Sequence, residues 1–196
     1  SCEYCNSFHS FFPTVAVILN VDADHLDFFS GIEDIRASFR HFALQVPKET
    51  GWVVVNAEDV NAMLAVEGID RRVMTFAFNG TADVQGTDLT YENGCARFNV
   101  VSQGKVYAHV ELIVPGRHNA LNALAAAAAA VALAVPGQAV EQGLKTFSGA
   151  GRRFEYKGEY NGAKIYDDYA HHPQEMSALI TMAQSLNYQR IILVFQ

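Results

Sequence analysis

The hydrophobic pattern of the first eighty residues switches repeatedly between strand-like runs and helix-like spacing. The apolar runs VAVILNV (15–21), GWVVVN (51–56) and RVMTFAF (72–78) predict three buried strands. Two segments of helical period separate them, with apolar faces formed by Ile32, Ile35, Phe39 and Phe42 in 32–46 and by Val60, Met63 and Leu64 in 57–68. Strands that alternate with helices predict a parallel sheet with helices on its faces.

The pattern changes in the segment 87–114, where polar and apolar residues alternate. Turn signals at Asn93-Gly94 and Gln103-Gly104 divide this segment into short strands. An antiparallel meander is therefore predicted. An alanine-rich helix (119–135) and a shorter helix (138–147) follow it, and alanine at this density favours a helix that packs closely against its neighbours.

A new pattern begins at the glycine-rich stretch SGAGRRF (148–154). It predicts a strand at 163–170, a helix at 173–187 and a strand at 189–196 that reaches the last residue without a turn or cap. Only about fifty residues remain for this unit, fewer than a typical autonomous domain. We therefore expect the chain to be part of a longer protein, cut at its C-terminus and, because it opens on Ser1, at its N-terminus as well.

Composition excludes some partners. The formal net charge is -7 and no basic stripe occurs, which argues against nucleic acid or an anionic membrane as the partner. The most apolar segment, 119–135, is mostly alanine and too short to be a favourable bilayer span. Three cysteines cannot form a disulfide framework, and the Cys2/Cys5 pair has no second ligand pair, so a zinc or redox role is not favoured.

Three polar clusters are candidates for chemistry. NVDADHLD (20–27) follows the first strand, at the edge where parallel sheets bind ligands, and His25 there could bind a metal. YDDYAHHP (166–173) precedes a helix start that favours anions, and GAGRRF (149–154) could bind phosphate through Arg152 and Arg153. The same residues also fit an acidic turn with a helix cap, or a solvated loop.

Asn119 and Asn122 form a further pair at the start of the alanine-rich helix. At spacing i and i+3 both side chains can face one ligand, and an amide offers the donor and acceptor that an adenine edge requires. Helix capping accounts for one asparagine but not for both.

Four motifs in this order, NVDADHLDFF, VPGRHNALNALAA, FSGAGRRFE and YDDYAHHPQE, resemble those of the Mur ligase family over essentially the whole chain. The resemblance implies an α/β fold. Residues 1–148 correspond to the later part of a central ATPase domain, with a mostly parallel sheet, helices and a small antiparallel meander, and residues 149–196 to the start of a Rossmann-like C-terminal domain.

The resemblance also implies a cytoplasmic ligase of peptidoglycan precursor synthesis with ATP and Mg²⁺ as cofactors. Its small-molecule substrates would be UDP-N-acetylmuramate, L-alanine and ATP, joined through an acyl phosphate. A ligase that recycles murein tripeptide and a non-catalytic nucleotide-binding module are the alternatives.

By resemblance, His25 is similar to the family's catalytic magnesium ligand and Arg153 to an arginine that contacts the nucleotide across the domain junction. Asn119 and Asn122 match the adenine side and Asp168 the ribose side, and Tyr169 and His171 would line the same pocket. The family's P-loop, a magnesium-binding glutamate and the later C-terminal strands have no counterpart in the sequence. A metallohydrolase using His25, His171 and His172 is disfavoured, because these histidines belong to different domains.

Overall fold

The computed structural model describes residues 4–171, 173–186 and 188–195. One six-stranded sheet contains β1 (Val15–Ile18), β2 (Trp52–Asn56), β3 (Val73–Ala77), β4 (Val84–Glu92), β5 (Cys95–Ser102) and β6 (Lys105–Pro115), in that spatial order. A hairpin is formed by β7 (Glu155–Tyr160) and β8 (Ala163–Asp167). The helices are α1 (Ile32–Leu44), α2 (Val60–Val66), α3 (Arg117–Ala132), α4 (Gly137–Thr146) and α5 (Pro173–Ser185), after a 3-10 segment at Tyr4–Ser10.

Helices cover both faces of the large sheet. Val53 and Val55 of β2 face a cluster that includes Ile35 and Phe39 of α1, whereas Val54, between them, faces a cluster built largely on the alanines of α3. A central strand buried on both faces must be apolar at every position, which explains why WVVVN shows no alternation. The α/β fold class predicted from the sequence is confirmed.

The strand pairing of the large sheet changes from parallel to antiparallel at β4. β1 to β4 pair in parallel, and β4 to β6 form the predicted antiparallel meander, with turns at Asn93-Gly94 and Gln103-Gly104. The link between β3 and β4 is unusually short for parallel neighbours. It is held by Asp83, whose carboxylate accepts hydrogen bonds from the backbone N–H and the hydroxyl of Thr75 at 2.8 Å and 2.7 Å.

The apolar face predicted for the second helix is confirmed for Met63, which packs against a core cluster, and is wrong for the other two residues. Val60 and Leu64 are exposed, and Ala62, Ala65 and Val66 are buried instead. The helix begins at Val60 because Asp59 is its N-cap and accepts a hydrogen bond from Ala62 N at 2.7 Å. The buried alanines let the helix lie close to the sheet, which a face of larger side chains would prevent.

Two features of the last fifty residues differ from the prediction. The β7–β8 hairpin was not expected, although Asn161-Gly162 at its turn, both with positive φ, is a strong two-residue hairpin signal. The strand expected at 189–196 is wrong for residues 188–195, which form no ladder with β7 or β8. An apolar sequence becomes a strand only where a partner edge accepts it, and here Val194 remains 92% exposed.

The alanine-rich segment forms α3 and packs against the sheet through six buried residues. Within the part of the chain that the structure describes, no helix combines the length and apolar character needed to cross a bilayer.

Candidate functional site

A cavity of about 1090 Å³ lies between the large sheet and the last fifty residues. One wall is formed by the start of α3 and the end of β6, and the opposite wall by the loop before β7, the end of β8 and α5. Four of the residues singled out from the sequence line this cavity, namely Asn119, Asn122, Arg153 and Asp168. They come from segments that are far apart in sequence, so the fold brings them together.

The two asparagines lie on the α3 wall. The helix begins at Arg117 with Gly116 as its N-cap, so neither asparagine has the capping role that was one explanation for them. Asn119 Nδ2 donates to the Pro115 carbonyl at 2.7 Å, which fixes its amide at the helix start. Asn122 is exposed and lines the same cavity one turn further along.

Asp168 and Arg153 lie on the opposite wall. The Asp168 carboxylate accepts a hydrogen bond from Phe154 N at 2.7 Å and from Ala170 N at 2.8 Å, one on each oxygen. Arg153 Nη1 is 3.4 Å from Glu175 Oε1, at the first turn of α5. This wall therefore presents an oriented carboxylate and a guanidinium group that is ion-paired with Glu175.

Tyr169 and His171 lie next to the cavity but are not part of its lining. The Arg152 guanidinium carbon is 4.7 Å from the centre of the Tyr169 ring, and His171 Nδ1 lies 2.9 Å from the Tyr169 carbonyl oxygen. Both side chains thus support the loop that carries Asp168. His172, named with them in the metallohydrolase alternative, lies outside the described residues, as does Cys2.

His25 is in the loop that follows β1, in a left-handed conformation with φ of 51°. Its backbone N–H donates to Asp24 Oδ1 at 2.7 Å, and its Nε2 is 3.8 Å from Asp24 Oδ2. Asn20, in the same loop, lines the cavity, and His25 does not. Among residues 4–171, 173–186 and 188–195, no three His, Cys, Asp or Glu side chains group as a metal site.

The structure adds cavity residues that were not singled out from the sequence. His118 stands beside Asn119, Glu175 pairs with Arg153, and Phe154 stacks on Tyr166 with ring centres 4.2 Å apart. Partial burial and the hydroxyl of Tyr188, 2.8 Å away, raise the pKa of Tyr166 to about 12. The sequence signal available for Glu175 was its position as an acidic residue in the first turn of a predicted helix.

The imidazole of His118 also has a shifted pKa. Desolvation by the surrounding protein lowers the pKa of its imidazole below 6.5, the Asp168 charge opposes this shift, and the Arg153 charge adds to it. At neutral pH the imidazole is therefore uncharged and can both donate and accept a hydrogen bond.

Comparison with known proteins gives consistent matches along the chain. Residues 6–130 match the Mur ligase middle domain, and residues 152–196 match the Mur ligase glutamate ligase domain. A UDP-N-acetylmuramate--L-alanine ligase from Caldanaerobacter subterraneus subsp. tengcongensis is 45% identical over 100% of this chain and 43% of its own length. The enzyme of the same name from Clostridium novyi is 41% identical, again over 100% of this chain and 42% of its own. The chain thus spans less than half the length of these relatives.

Solved structures agree with these matches. UDP-N-acetylmuramate-alanine ligase MurC from Thermotoga maritima superposes with a TM-score of 0.76 at 27% identity, over 92% of this chain and 40% of that one. MurF from Acinetobacter baumannii superposes with a TM-score of 0.78 at 26% identity, over 92% of this chain and 39% of that one. A murein peptide ligase from Psychrobacter arcticus superposes with a TM-score of 0.69 at 26% identity, over 93% of this chain and 37% of that one. The motifs quoted from the sequence, the fold and these matches agree, and the chain belongs to the Mur ligase family.

Proposed function

We propose that this chain is the nucleotide-binding part of a cytoplasmic, ATP-dependent ligase that joins L-alanine to UDP-N-acetylmuramate in peptidoglycan precursor synthesis. The observation that supports this most directly is the shared cavity, with Asn119 and Asn122 on one wall and Arg153 and Asp168 on the other. The relatives that are 45% and 41% identical to this chain are UDP-N-acetylmuramate--L-alanine ligases, which supports the choice of L-alanine.

The chemistry of these four side chains fits ATP. Amide groups match the donor and acceptor on an adenine edge, and a carboxylate accepts hydrogen bonds from ribose hydroxyls. A guanidinium group donates two parallel hydrogen bonds to a phosphate. We therefore assign adenine to Asn119 and Asn122, the ribose to Asp168 and a phosphate to Arg153, with Tyr169 and His171 supporting the ribose wall. The division into units 1–148 and 149–196 is part of this proposal.

The magnesium ion is assigned to His25. Mg²⁺ keeps several waters and takes phosphate oxygens from its nucleotide, so one protein ligand in the loop after β1 is compatible with such a site. When bound there, the ion would neutralise phosphate charge. The neighbouring Asp24, within 3.8 Å of the imidazole, would orient the ring.

The proposed reaction has two steps. A lactyl carboxylate oxygen attacks the γ-phosphorus of ATP and ADP leaves, which gives an acyl phosphate. The α-amine of L-alanine then attacks the acyl carbon, loses a proton and expels inorganic phosphate as the amide forms. A cavity between two units can exclude water from the acyl phosphate when they close.

Phosphate release provides the test. A coupled assay would use this chain and, separately, the intact reading frame from which it comes, each with UDP-N-acetylmuramate, Mg-ATP and either L-alanine or the murein tripeptide. We expect release in the intact protein with L-alanine only.

The other outcomes select among the alternatives. Preference for the tripeptide would favour the recycling ligase, an activity related to that of the murein peptide ligase among the structural neighbours. Nucleotide binding without release in either protein would favour a non-catalytic module. Hydrolysis that requires zinc would favour the metallohydrolase.

A further inference from the structure

The loop after β1, residues 19–31, carries His25 and is held at its start by three side chains from the next strand and helix. We call these side chains the loop clamp: Asn56 at the end of β2, Asp59 before α2, and Asn61 in the first turn of α2. Because β1 and β2 are parallel, the loop and the clamp lie at the same edge of the sheet. This is the edge at which open parallel sheets bind their ligands.

The clamp bonds the backbone of the loop. Asn56 Nδ2 donates to the Leu19 carbonyl at 3.0 Å, and Asn61 Nδ2 donates to the Val21 carbonyl at 3.1 Å. The Val21 N–H donates to Asp59 Oδ1 at 3.4 Å. Since all three bonds are made to main-chain groups, the clamp fixes the path of the chain through 19–21 rather than the rotamer of one side chain.

Two clamp residues are themselves held in place. Asn56 is 5% exposed, and its Oδ1 accepts a hydrogen bond from Glu58 N at 3.0 Å, so its amide is bonded at both ends. Asp59 Oδ1 also accepts from Ala62 N at 2.7 Å as the N-cap of α2. The position of the loop start therefore follows the position of β2 and α2.

The clamped backbone connects the cavity with His25. Asn20 lies between the two carbonyl groups that the clamp holds, lines the cavity, and donates from Nδ2 to Asp22 Oδ2 at 2.8 Å. The Asp22 carbonyl accepts from Asp24 N at 3.0 Å, and Asp24 Oδ1 accepts from His25 N at 2.7 Å. Successive hydrogen bonds thus link a cavity residue to His25.

His25 lies between two buried anchors of the loop. The side chains of Val21 and Phe29 are 1% and 3% exposed and belong to the same core cluster. Phe29 N donates to the His25 carbonyl at 3.0 Å. The residues between the anchors project from the core, so a displacement of the chain at Val21 would also displace His25.

We propose that the loop clamp is a positioning element of the ligase, which sets the path of 19–21 and thereby the places of Asn20 and His25 relative to a bound nucleotide. This inference rests on the proposed function, in which His25 is the magnesium ligand. None of the three clamp residues lines the cavity. Loss of the clamp should therefore change turnover and the magnesium requirement more than the KM for ATP, because the side chains assigned to the nucleotide are unchanged.

Asn61→Asp separates the clamp from the stability of the helix. The substitution keeps the size of the side chain but replaces the amide donor with a carboxylate, which would repel the Val21 carbonyl oxygen. A carboxylate in the first turn of α2 is favourable for the helix dipole, so the helix should not be weakened.

The first experiment measures kcat, the KM for ATP and the Mg²⁺ concentration that gives half the maximal rate, in the intact ligase and in Asn61→Asp. We expect kcat to fall about tenfold or more, because small misplacements of reacting groups slow a reaction steeply. The Mg²⁺ concentration for half the maximal rate should rise, and the KM for ATP and the melting temperature should change less.

Asn99→Asp is the matched control. Asn99 of β5 is partly buried like Asn61, and its Nδ2 also donates a hydrogen bond, to Asp88 Oδ2 at 2.8 Å, but it lies outside the cavity. This variant loses an amide donor in the same way and should keep the wild-type kcat and Mg²⁺ requirement.

The second experiment needs no substrate. Amide hydrogen exchange is followed by mass spectrometry in the intact wild-type protein and in both variants. We expect exchange in 22–28 to be faster in Asn61→Asp than in the other two proteins, with exchange in β2 unchanged.

Two results would overturn the proposal. Unchanged exchange in 22–28 would show that Asn61 does not hold the loop, and faster exchange with wild-type kcat and Mg²⁺ requirement would show that the held position does not matter for the reaction. A wild-type protein that releases no phosphate would instead contradict the proposed function, while the exchange measurement would still decide whether the clamp holds the loop.

Discussion

At the scale of single residues, His25 combines a strained backbone with the position proposed for the metal. Its φ of 51° is uncommon for residues other than glycine, and asparagine tolerates it better than alanine does. We expect His25→Asn in the intact ligase to lower kcat by about tenfold or more while the melting temperature changes little, because a loop imidazole contributes charge neutralisation rather than core packing.

Two variants complete this test of His25. His25→Ala should lose the same activity and, in addition, about 1 kcal/mol of stability from the left-handed backbone. Gln103→Ala, at an exposed turn with the same φ of 51°, measures that backbone cost away from the cavity. Wild-type turnover in His25→Asn would remove His25 from the metal site.

The candidate residues found from the sequence share one property. Asn119, Arg153 and Asp168 stand in short motifs whose local chemistry is visible without a fold. His118 and Glu175 were missed because their relevance comes from segments far away: His118 lines a cavity whose opposite wall is formed by the last fifty residues, and Glu175 pairs with Arg153. No local pattern of residue types carries that information.

At the scale of elements, the contact between α5 and the meander depends on two glycines. Gly94 in the β4–β5 turn lies against Leu186, and Gly116 lies against Met182, while Gly116 N donates to the Gly94 carbonyl at 2.9 Å. Met182 of α5 and Leu186, which directly follows the helix, thus lie against the backbone of these two glycines. This surface sets how closely the last helix approaches the sheet.

Gly116→Ala should therefore loosen α5. The new methyl group would meet His118 and Met182, and φ of 110° is itself unfavourable for alanine. We expect the free energy of unfolding to fall by about 2 kcal/mol or more. Amide hydrogen exchange should become faster in 173–186, with exchange in β2 unchanged. Hydrogen exchange followed by mass spectrometry measures both segments at once.

Gly104→Ala is the matched control for Gly116. Gly104 also has a positive φ, of 71°, but a methyl group there would meet nothing within 4 Å. This substitution should lower the free energy of unfolding by about 1 kcal/mol and leave amide hydrogen exchange in α5 unchanged. Adding Met182→Ala to Gly116→Ala should partly restore protection of α5. Equal exchange in the two glycine variants would show that the contact does not hold the helix.

Elements that are determined by nearby residues could be predicted from the sequence, and elements that depend on distant contacts could not. The order of strands and helices up to 147 follows from hydrophobic period and turn residues, and the structure confirms it. The exposed strand-like segment 188–195 and the exposure of Val60 and Leu64 on α2 could not be predicted, because the first requires a partner edge and the second is set by the Asp59 cap and close packing on the sheet. The β7–β8 hairpin has a local cause in Asn161-Gly162, which is a two-residue hairpin signal.

At the scale of the whole molecule, the cavity has walls from the large sheet region and from the last fifty residues, so a nucleotide bound there as proposed would stabilise both. Mg-ATP at about 100 times its dissociation constant should add about 2.7 kcal/mol to the free energy of unfolding of the intact ligase. We expect Arg153→Ala to reduce the ATP-induced rise in melting temperature. Arg97→Ala is the control, since its side chain is 56% exposed against 52% for Arg153 and is also ion-paired. Equal shifts in the two variants would exclude Arg153 from the site.

The order of the strands has a consequence for how the molecule forms. In the large sheet each strand lies beside the next one in the sequence, from β1 to β6. Every new strand therefore finds its partner edge in the segment made just before it, and no pairing has to wait for a distant part of the chain. The links are short from β3 onward, at six residues or fewer, and short loop closures favour fast pairing there, whereas β1 joins β2 and β2 joins β3 through segments that contain α1 and α2. The sheet can be built progressively during synthesis, before the last fifty residues arrive to close the cavity.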